Sequence, residues 1–176
     1  PLSRSTAAHS TLAINDTSSA RFALSRGFSG LVGTPLVNGP RTVSCRRMDS
    51  KGIHAFVARH DAYLASVGLY HERELSLSAA GDMLEGIDRV FRKGGEPGRP
   101  DAKDRVTVRF HLHPEVALFR NKRGELVLTV EHGDHWTFSC EELAPEAEES
   151  LFFAGLGGPR RSSQIVLSYR ASDHPE

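Results

Sequence analysis

Three sets of side chains in this 176-residue sequence have types and spacings that could do chemistry. His60 and Asp61, with Tyr63 two residues on, pair an imidazole base and an orienting carboxylate with a phenol that could act as an acid. Consecutive residues on a strand point to opposite faces, so His60 and Asp61 share a site only where the strand breaks. The plainer reading of such a cluster is turn hydrogen bonding at a strand end. His111 and His113, two apart, project from one face of a strand, the spacing that metal sites on β-scaffolds use, and Glu115 could complete a donor set. An alternating strand must place polar side chains on its outer face in any case. His9 stands alone in a polar N-terminal segment, and Arg46-Arg47 and Arg160-Arg161 could receive acidic ligands or lie solvated.

The element that must position the second set runs from Val106 to Phe119. Val106, Val108, Phe110 and Leu112 alternate with Thr107, Arg109, His111 and His113, which predicts a strand with one face in a core, ended by Pro114. Around a helix those four apolar side chains would scatter. Runs of the same kind flank it: 10–15, 20–24, 41–48, 53–60, 70–78, 83–91, 125–131, 135–140, 148–154 and 164–169. Turn residues separate them at 16–19, 49–52, 79–82, 121–124 and 132–134. Residues 26–40 carry too many Gly and Pro for a helix or a long strand and predict a loop, as do 93–104 and the 155–159 segment. About ten short strands with no convincing amphipathic helix predict an all-β protein, an antiparallel β-sandwich in one domain over residues 1–176.

Twenty-two Lys and Arg balance 22 Asp and Glu, so nothing points to a strongly basic nucleic-acid surface. No apolar run approaches a membrane span and the N-terminus lacks a signal-type apolar stretch. The expected partners therefore include neither nucleic acid nor membrane. Cys45 and Cys140 make no metal-type pair, and spacing does not say whether they join. The chain starts at Pro1, and it is expected to be a piece of something longer.

Several stretches in order resemble the C-terminal domain of heparinase II/III-like proteins. They are Thr6-Ala7-Ala8-His9-Ser10-Thr11-Leu12, Arg59-His60-Asp61-Ala62-Tyr63, and the hairpin from His71 through Ser78 to Leu84-Glu85-Gly86-Ile87-Asp88. Arg109-Phe110-His111-Leu112-His113-Pro114, Trp136-Thr137-Phe138, Glu148-Glu149-Ser150 and Arg160 to Leu167 complete the series. The resemblance implies a bacterial polysaccharide lyase parent, an N-terminal α/α toroid followed by a sandwich of the supersandwich kind, with the cleft between them. The implied reaction is β-elimination at a uronic acid of an acidic polysaccharide. The implied partners are that substrate and the toroid of the same parent chain, and the sequence leaves the compartment open.

In the family the sandwich contributes a histidine from its first strand region, and His9 matches that position, with His60, Asp61 and Tyr63 as secondary candidates. Zinc-bearing members follow this histidine with further His and Asp ligands, whereas Ser10 and Thr11 follow here. No metal and no cofactor are expected. The family's tyrosine acid/base belongs to the toroid, so this chain alone is expected to be inactive, with an exposed apolar surface where the toroid would dock. Two rival readings stand beside this one. The first is a non-catalytic carbohydrate-binding module, weakened by an aromatic content of 7% and the single Trp136. The second is a cupin-like metal-dependent enzyme on His111, His113 and Glu115, whose spacing departs from the cupin motif.

Overall fold

Short runs rich in β-branched and aromatic residues, cut by Gly, Asp and Asn, form thirteen strands among the described residues, and their pairings are antiparallel. The computed structural model describes residues 2–23, 35–94, 96, 98–131, 133–153 and 157–173. The strands are β1 (Leu12–Ile14), β2 (Arg21–Phe22), β3 (Leu36–Asn38), β4 (Val43–Ser50), β5 (Ile53–His60), β6 (Leu69–Leu77) and β7 (Leu84–Arg92). They continue as β8 (Arg105–His111), β9 (Ala117–Arg120), β10 (Leu126–Thr129), β11 (His135–Phe138), β12 (Glu146–Phe152) and β13 (Arg160–Arg170). Among the described residues helix is confined to one turn, α1 (Leu64–Val67), and two 3-10 turns, Leu2–Arg4 and Thr6–Ala8. The fold is all-β and is consistent with a β-sandwich.

The chain divides into two compact units, Pro1–Ser18 with Ala102–Glu176, and Ser19–Asp101. In the first, β8 lies between β1 and β13 in a four-stranded sheet ordered β1-β8-β13-β12, and β11-β10-β9 form a three-stranded sheet. Leu12, Ala13, Ile14, Val106, Val108, Ile165, Val166 and Leu167 make the core. Thr107 is buried as well, so the first half of β8 is covered on both faces, where alternation alone predicts one. Further along, the Phe110 ring of β8 meets the Phe138 ring of β11 at 5.3 Å, one contact between the unit's two sheets.

The second unit is the meander β4-β5-β6-β7 with the ribbon β2-β3. Its first hairpin pairs Ser50 with Ile53 across Lys51 and Gly52, both at positive φ (50° and 81°), the two-residue turn whose twist matches the strands. The wider turn expected over 49–52 is therefore tighter, and β4 runs two residues further. After β5 the chain makes α1, which stops at Gly68, φ 73°, whose N–H returns to the Leu64 carbonyl at 3.0 Å. Gly68 delivers the fully buried Leu69 into β6.

Differences from the sequence expectations fall on the shortest elements. Strand β3 lies inside the stretch read as a loop over 26–40, where backbone pairing to β2 overrides the surrounding Gly and Pro, while 24–34 lies outside the described residues. Strand β9 was not expected as a strand, and β13 is longer at both ends than the 164–169 run, held by pairing to β12 and β8. His132 of the 132–134 turn, Ala154 and residues 155–156 also lie outside the described residues.

Candidate functional site

In the first unit, antiparallel pairing of β1 with β8, Leu12 opposite Val108, carries the polar segment ahead of β1 past the end of β8. His111 fastens that segment. Its backbone N–H donates to Ser10 Oγ at 2.9 Å, and its ring lies between the Ala7 carbonyl, 3.0 Å from Nε2, and Ser150 Oγ, 2.7 Å from Nδ1. A carbonyl only accepts, so Nε2 carries the proton and the Ser150 hydroxyl donates to Nδ1. Both nitrogens of His111 are thereby occupied. Burial pushes its pKa down, with the charges of Arg109 and His9 adding to that effect against the Ala7 hydrogen bond.

His9 closes the 3-10 turn Thr6–Ala8 in extended backbone, φ −130° and ψ 151°, and is exposed. Among the described residues its imidazole has no hydrogen-bond partner, in contrast to His111. On the same sheet face stand Arg109 and Gln164, opposite Val166 and His111 respectively. Arg109 donates to Asp16 Oδ1 at 3.0 Å and Gln164 Nε2 to Glu148 at 2.9 Å, while Arg109 Nη1 and Gln164 Oε1 are buried without partners among the described residues. His113 packs edge-on against Phe152, ring centroids 4.8 Å apart, with Nδ1 3.6 Å from Glu115. Because His111 spends both nitrogens on Ala7 and Ser150, it offers no lone pair to a metal shared with His113 and Glu115, which removes the basis of the cupin-like reading. Among the described residues no three His, Cys, Asp or Glu side chains converge as metal ligands, and Cys45 and Cys140 are free thiols.

The second unit holds a different histidine arrangement. Antiparallel register sets His60 opposite His71, and Arg73 opposite Asp88, across β5, β6 and β7. The Ala62 N–H donates to His60 Nδ1 at 3.2 Å, so the His60 proton lies on Nε2 and goes to His71 Nδ1 at 3.1 Å. His71 Nε2–H then donates to Asp88 Oδ1 at 2.6 Å, and Arg73 grips both Asp88 oxygens through Nε (2.8 Å) and Nη2 (2.6 Å). Donors and acceptors alternate without a gap along the chain. Burial, reinforced by His71, lowers the His60 pKa to about 4. Burial alone would raise the Asp88 pKa, but hydrogen bonds from His71 and Arg73 bring it below the ordinary carboxylate value.

Asp61 turns away from His60: its Oδ1 accepts the Arg41 and Thr42 N–H groups at 2.8 and 3.1 Å, which lowers its pKa, the Thr42 contact most strongly. Tyr63 is 1% exposed, its ring 5.7 Å from that of His60, so its phenol is withdrawn from solvent. His60 is thus oriented by His71 and Asp88, which the sequence offers within the resembling hairpin and not as site residues. Their signal lay in the register. Counting back from the Ala79–Asp82 turn pairs Arg73 with Asp88.

The whole chain, residues 1–176, matches the profile of the family described as heparinase II/III-like, C-terminal. The chain belongs to this family. A curated relative is FtsZ-localized protein C of Caulobacter vibrioides (strain NA1000 / CB15N), 32% identical over 168 residues, covering 91% of this chain and 28% of that protein. The chain thus spans little more than a quarter of that relative's length. No solved structure matches. Within a heparinase II/III-like C-terminal domain, the two histidine sites differ in what is left free: His9 presents an open imidazole, and His60 presents none.

Proposed function

We propose that this chain is the sandwich part of a polysaccharide lyase that cleaves uronate-containing acidic polysaccharide by β-elimination, with His9 facing the cleft. The observation that carries this reading is the exposed, unpartnered imidazole of His9 at the head of β1, in a chain whose entire length matches the family. In β-elimination a base takes the C5 proton of the uronate, the C4–O4 bond breaks, a C4–C5 double bond forms, and an acid protonates the departing oxygen. The C5 proton is barely acidic beside a carboxylate anion, so donors or cations must neutralise that carboxylate as charge develops. His9 suits the role of base because its imidazole is exposed and has no hydrogen-bond partner among the described residues, which leaves a ring nitrogen to receive the proton. His111 positions it by pinning Ala7 and Ser10 on either side. The acid is assigned to a tyrosine of the toroid, outside this chain, so the isolated chain is inactive.

Exposed apolar side chains in the second unit fit a surface covered in the parent. Phe56 and Leu84 are 39% and 60% exposed, on one face of the meander with Leu75 and Leu77 between them in register.

The test is the ultraviolet signal of the unsaturated uronate product, measured on the full-length parent and on this chain with a panel of acidic polysaccharides. Chromophore from the parent, none from the chain, and loss in the parent on His9→Ala is the expected result. A parent that stays silent on every glycan overturns the lyase reading.

The identity to FtsZ-localized protein C favours a second reading, a non-catalytic domain of a protein that localises with FtsZ. A carbohydrate-binding module gains less support. Trp136 and Phe119 are both exposed, yet Trp136 pairs through Leu128 and Phe119 through Val127, which puts them on opposite faces of their sheet and leaves no two-ring platform for a sugar.

A further inference from the structure

We propose that Arg59 of the second unit is the anion-holding residue of a sugar-acid site that binds a uronate through its carboxylate. The site is a recess of about 340 Å³ lined by Thr42, Ser44, Arg59, His60, Tyr70 and Gly94. That volume suits a single pyranose ring.

Arg59 leaves β5 and crosses β6. Its guanidinium carbon is 4.7 Å from the Tyr70 ring centre and 4.9 Å from that of Phe91, two aromatics directly paired between β6 and β7. Cation–π contact fixes a guanidinium without using its N–H groups, which remain to donate in the plane. Three arginines of the same sheet are spent on acids, Arg73 on Asp88, Arg89 on Glu74 and Arg47 on Asp49, while Arg46 and Arg92 line no part of the recess. Among the described residues, Arg59 has no such acceptor. Glu72, directly opposite Arg59, lies 3.7 Å from Arg89 instead. A half-buried, pre-oriented fork with open donors on a recess matches the two oxygens of a carboxylate.

The rest of the lining selects the remainder of the ligand. Ser44 Oγ has no partner among the described residues and can both donate to and accept from a ring hydroxyl. The Thr42 hydroxyl is engaged by Asp61, and both His60 nitrogens are engaged by Ala62 and His71, so neither competes for the anion. One cation with the Asp61 carboxylate nearby favours a single negative charge over a phosphate, whose second charge would be unmatched.

The proposal rests on the lyase reading only in choosing a uronate among carboxylates. The experiment is a titration of the ¹⁵N-labelled chain, followed at the Arg59 side-chain Nε–H and the Ser44 amide. Sodium glucuronate, glucose and sodium acetate are compared at constant ionic strength. Glucuronate should shift both signals saturably, glucose should leave them in place, and acetate should bind roughly tenfold more weakly because it makes no hydroxyl contact. Arg59→Gln should abolish the response in a protein whose spectrum stays dispersed. Arg59→Lys, which keeps the charge and loses the planar fork, should weaken it roughly tenfold. Unmoved signals with glucuronate, equal binding of acetate, or an unimpaired Arg59→Lys variant would each overturn the site. Failure here leaves the His9 assay on the parent untouched, and a silent parent leaves this titration readable.

Discussion

His9 and His60 are both strand-end histidines in polar stretches, and the structure gives them opposite characters. His9, ahead of β1, is exposed and unpartnered among the described residues, while His60, at the end of β5, has an amide on one nitrogen and His71 on the other. By residue type alone His60 looks the better base because Asp61 follows it, whereas the family resemblance points to His9. What matters is whether a nitrogen is left over once the backbone and neighbouring strands have been satisfied, and only His9 has one. The proposal therefore places chemistry on the histidine with the fewest contacts, and stability on the one with the most.

The largest effect that would sharpen this contrast comes from cutting the His60 chain at its anionic end. Asp88→Ala removes the carboxylate that accepts from the Arg73 guanidinium, 13% exposed, and from the His71 ring, 3% exposed. Removing one member of a buried ion pair costs about 3–5 kcal/mol, which a urea titration reads as a lower midpoint. A midpoint within experimental error of wild type would mean that the chain contributes no stability and that the contrast with His9 fails.

Acid tests the same chain more gently. A proton added to His60 Nδ1 would set a donor against the Ala62 N–H, so the fold keeps His60 neutral, with a pKa of about 4 against 6.5 for the ordinary group. The unfolded chain takes up that proton in the interval and the folded one does not. Stability should therefore fall as pH drops from 6.5 towards 4, and the His60 contribution should level off below that. His111, whose pKa is also lowered, acts with the same sign, and Asp88 adds a further loss only below its ordinary value of 3.8. Urea midpoints across this range, with hydrogen exchange at the Ala62 amide as the local reading, should show a shallower slope in His60→Gln. An unchanged slope would place the titration elsewhere.

The strands were legible because alternation and turn chemistry coincide. The β6–β7 hairpin was readable from Ala79–Asp82, and β8 from the alternation of Val106, Val108 and Phe110, although it ends at His111, short of Leu112. Strand β9 escaped because Ala-Leu-Phe-Arg is too short to show a period, and β3 because only pairing with β2 makes it a strand. At the sites, types were legible and partners were not. Asp61 is adjacent to His60 in sequence yet bonds to Arg41 and Thr42, whereas Asp88 comes from a strand two places across the sheet. Hydrogen-bond partners follow register, a long-range property that composition does not carry.

A middle-sized effect comes from His111, which links the two kinds of behaviour. Its ring is half-buried like that of His60, but its bonds hold the segment bearing His9. His111→Ala leaves the Ala7 carbonyl and the Ser150 hydroxyl without their partner, worth about 1–3 kcal/mol. In the parent it should also lower kcat/KM for lyase turnover by loosening His9. His111→Gln, which can still reach one of the two groups, should recover part of both. Stability loss with unchanged turnover would detach His111 from the site and leave it a structural residue.

The smallest stability effect is expected at His9 itself. Its imidazole makes no hydrogen bond among the described residues and is exposed, so His9→Ala removes no hydrogen bond, and stability from urea titration should stay within about 0.5 kcal/mol of wild type. The backbone bonds that shape the turn, Ala8 N–H to Ser5 and His9 N–H to Thr6, do not depend on the side chain and survive the substitution. A residue that contributes nothing to stability but whose loss silences the parent is kept for chemistry. If His9→Ala instead destabilises the chain as Asp88→Ala does, His9 is another structural histidine, and the contrast between the two units has no functional content.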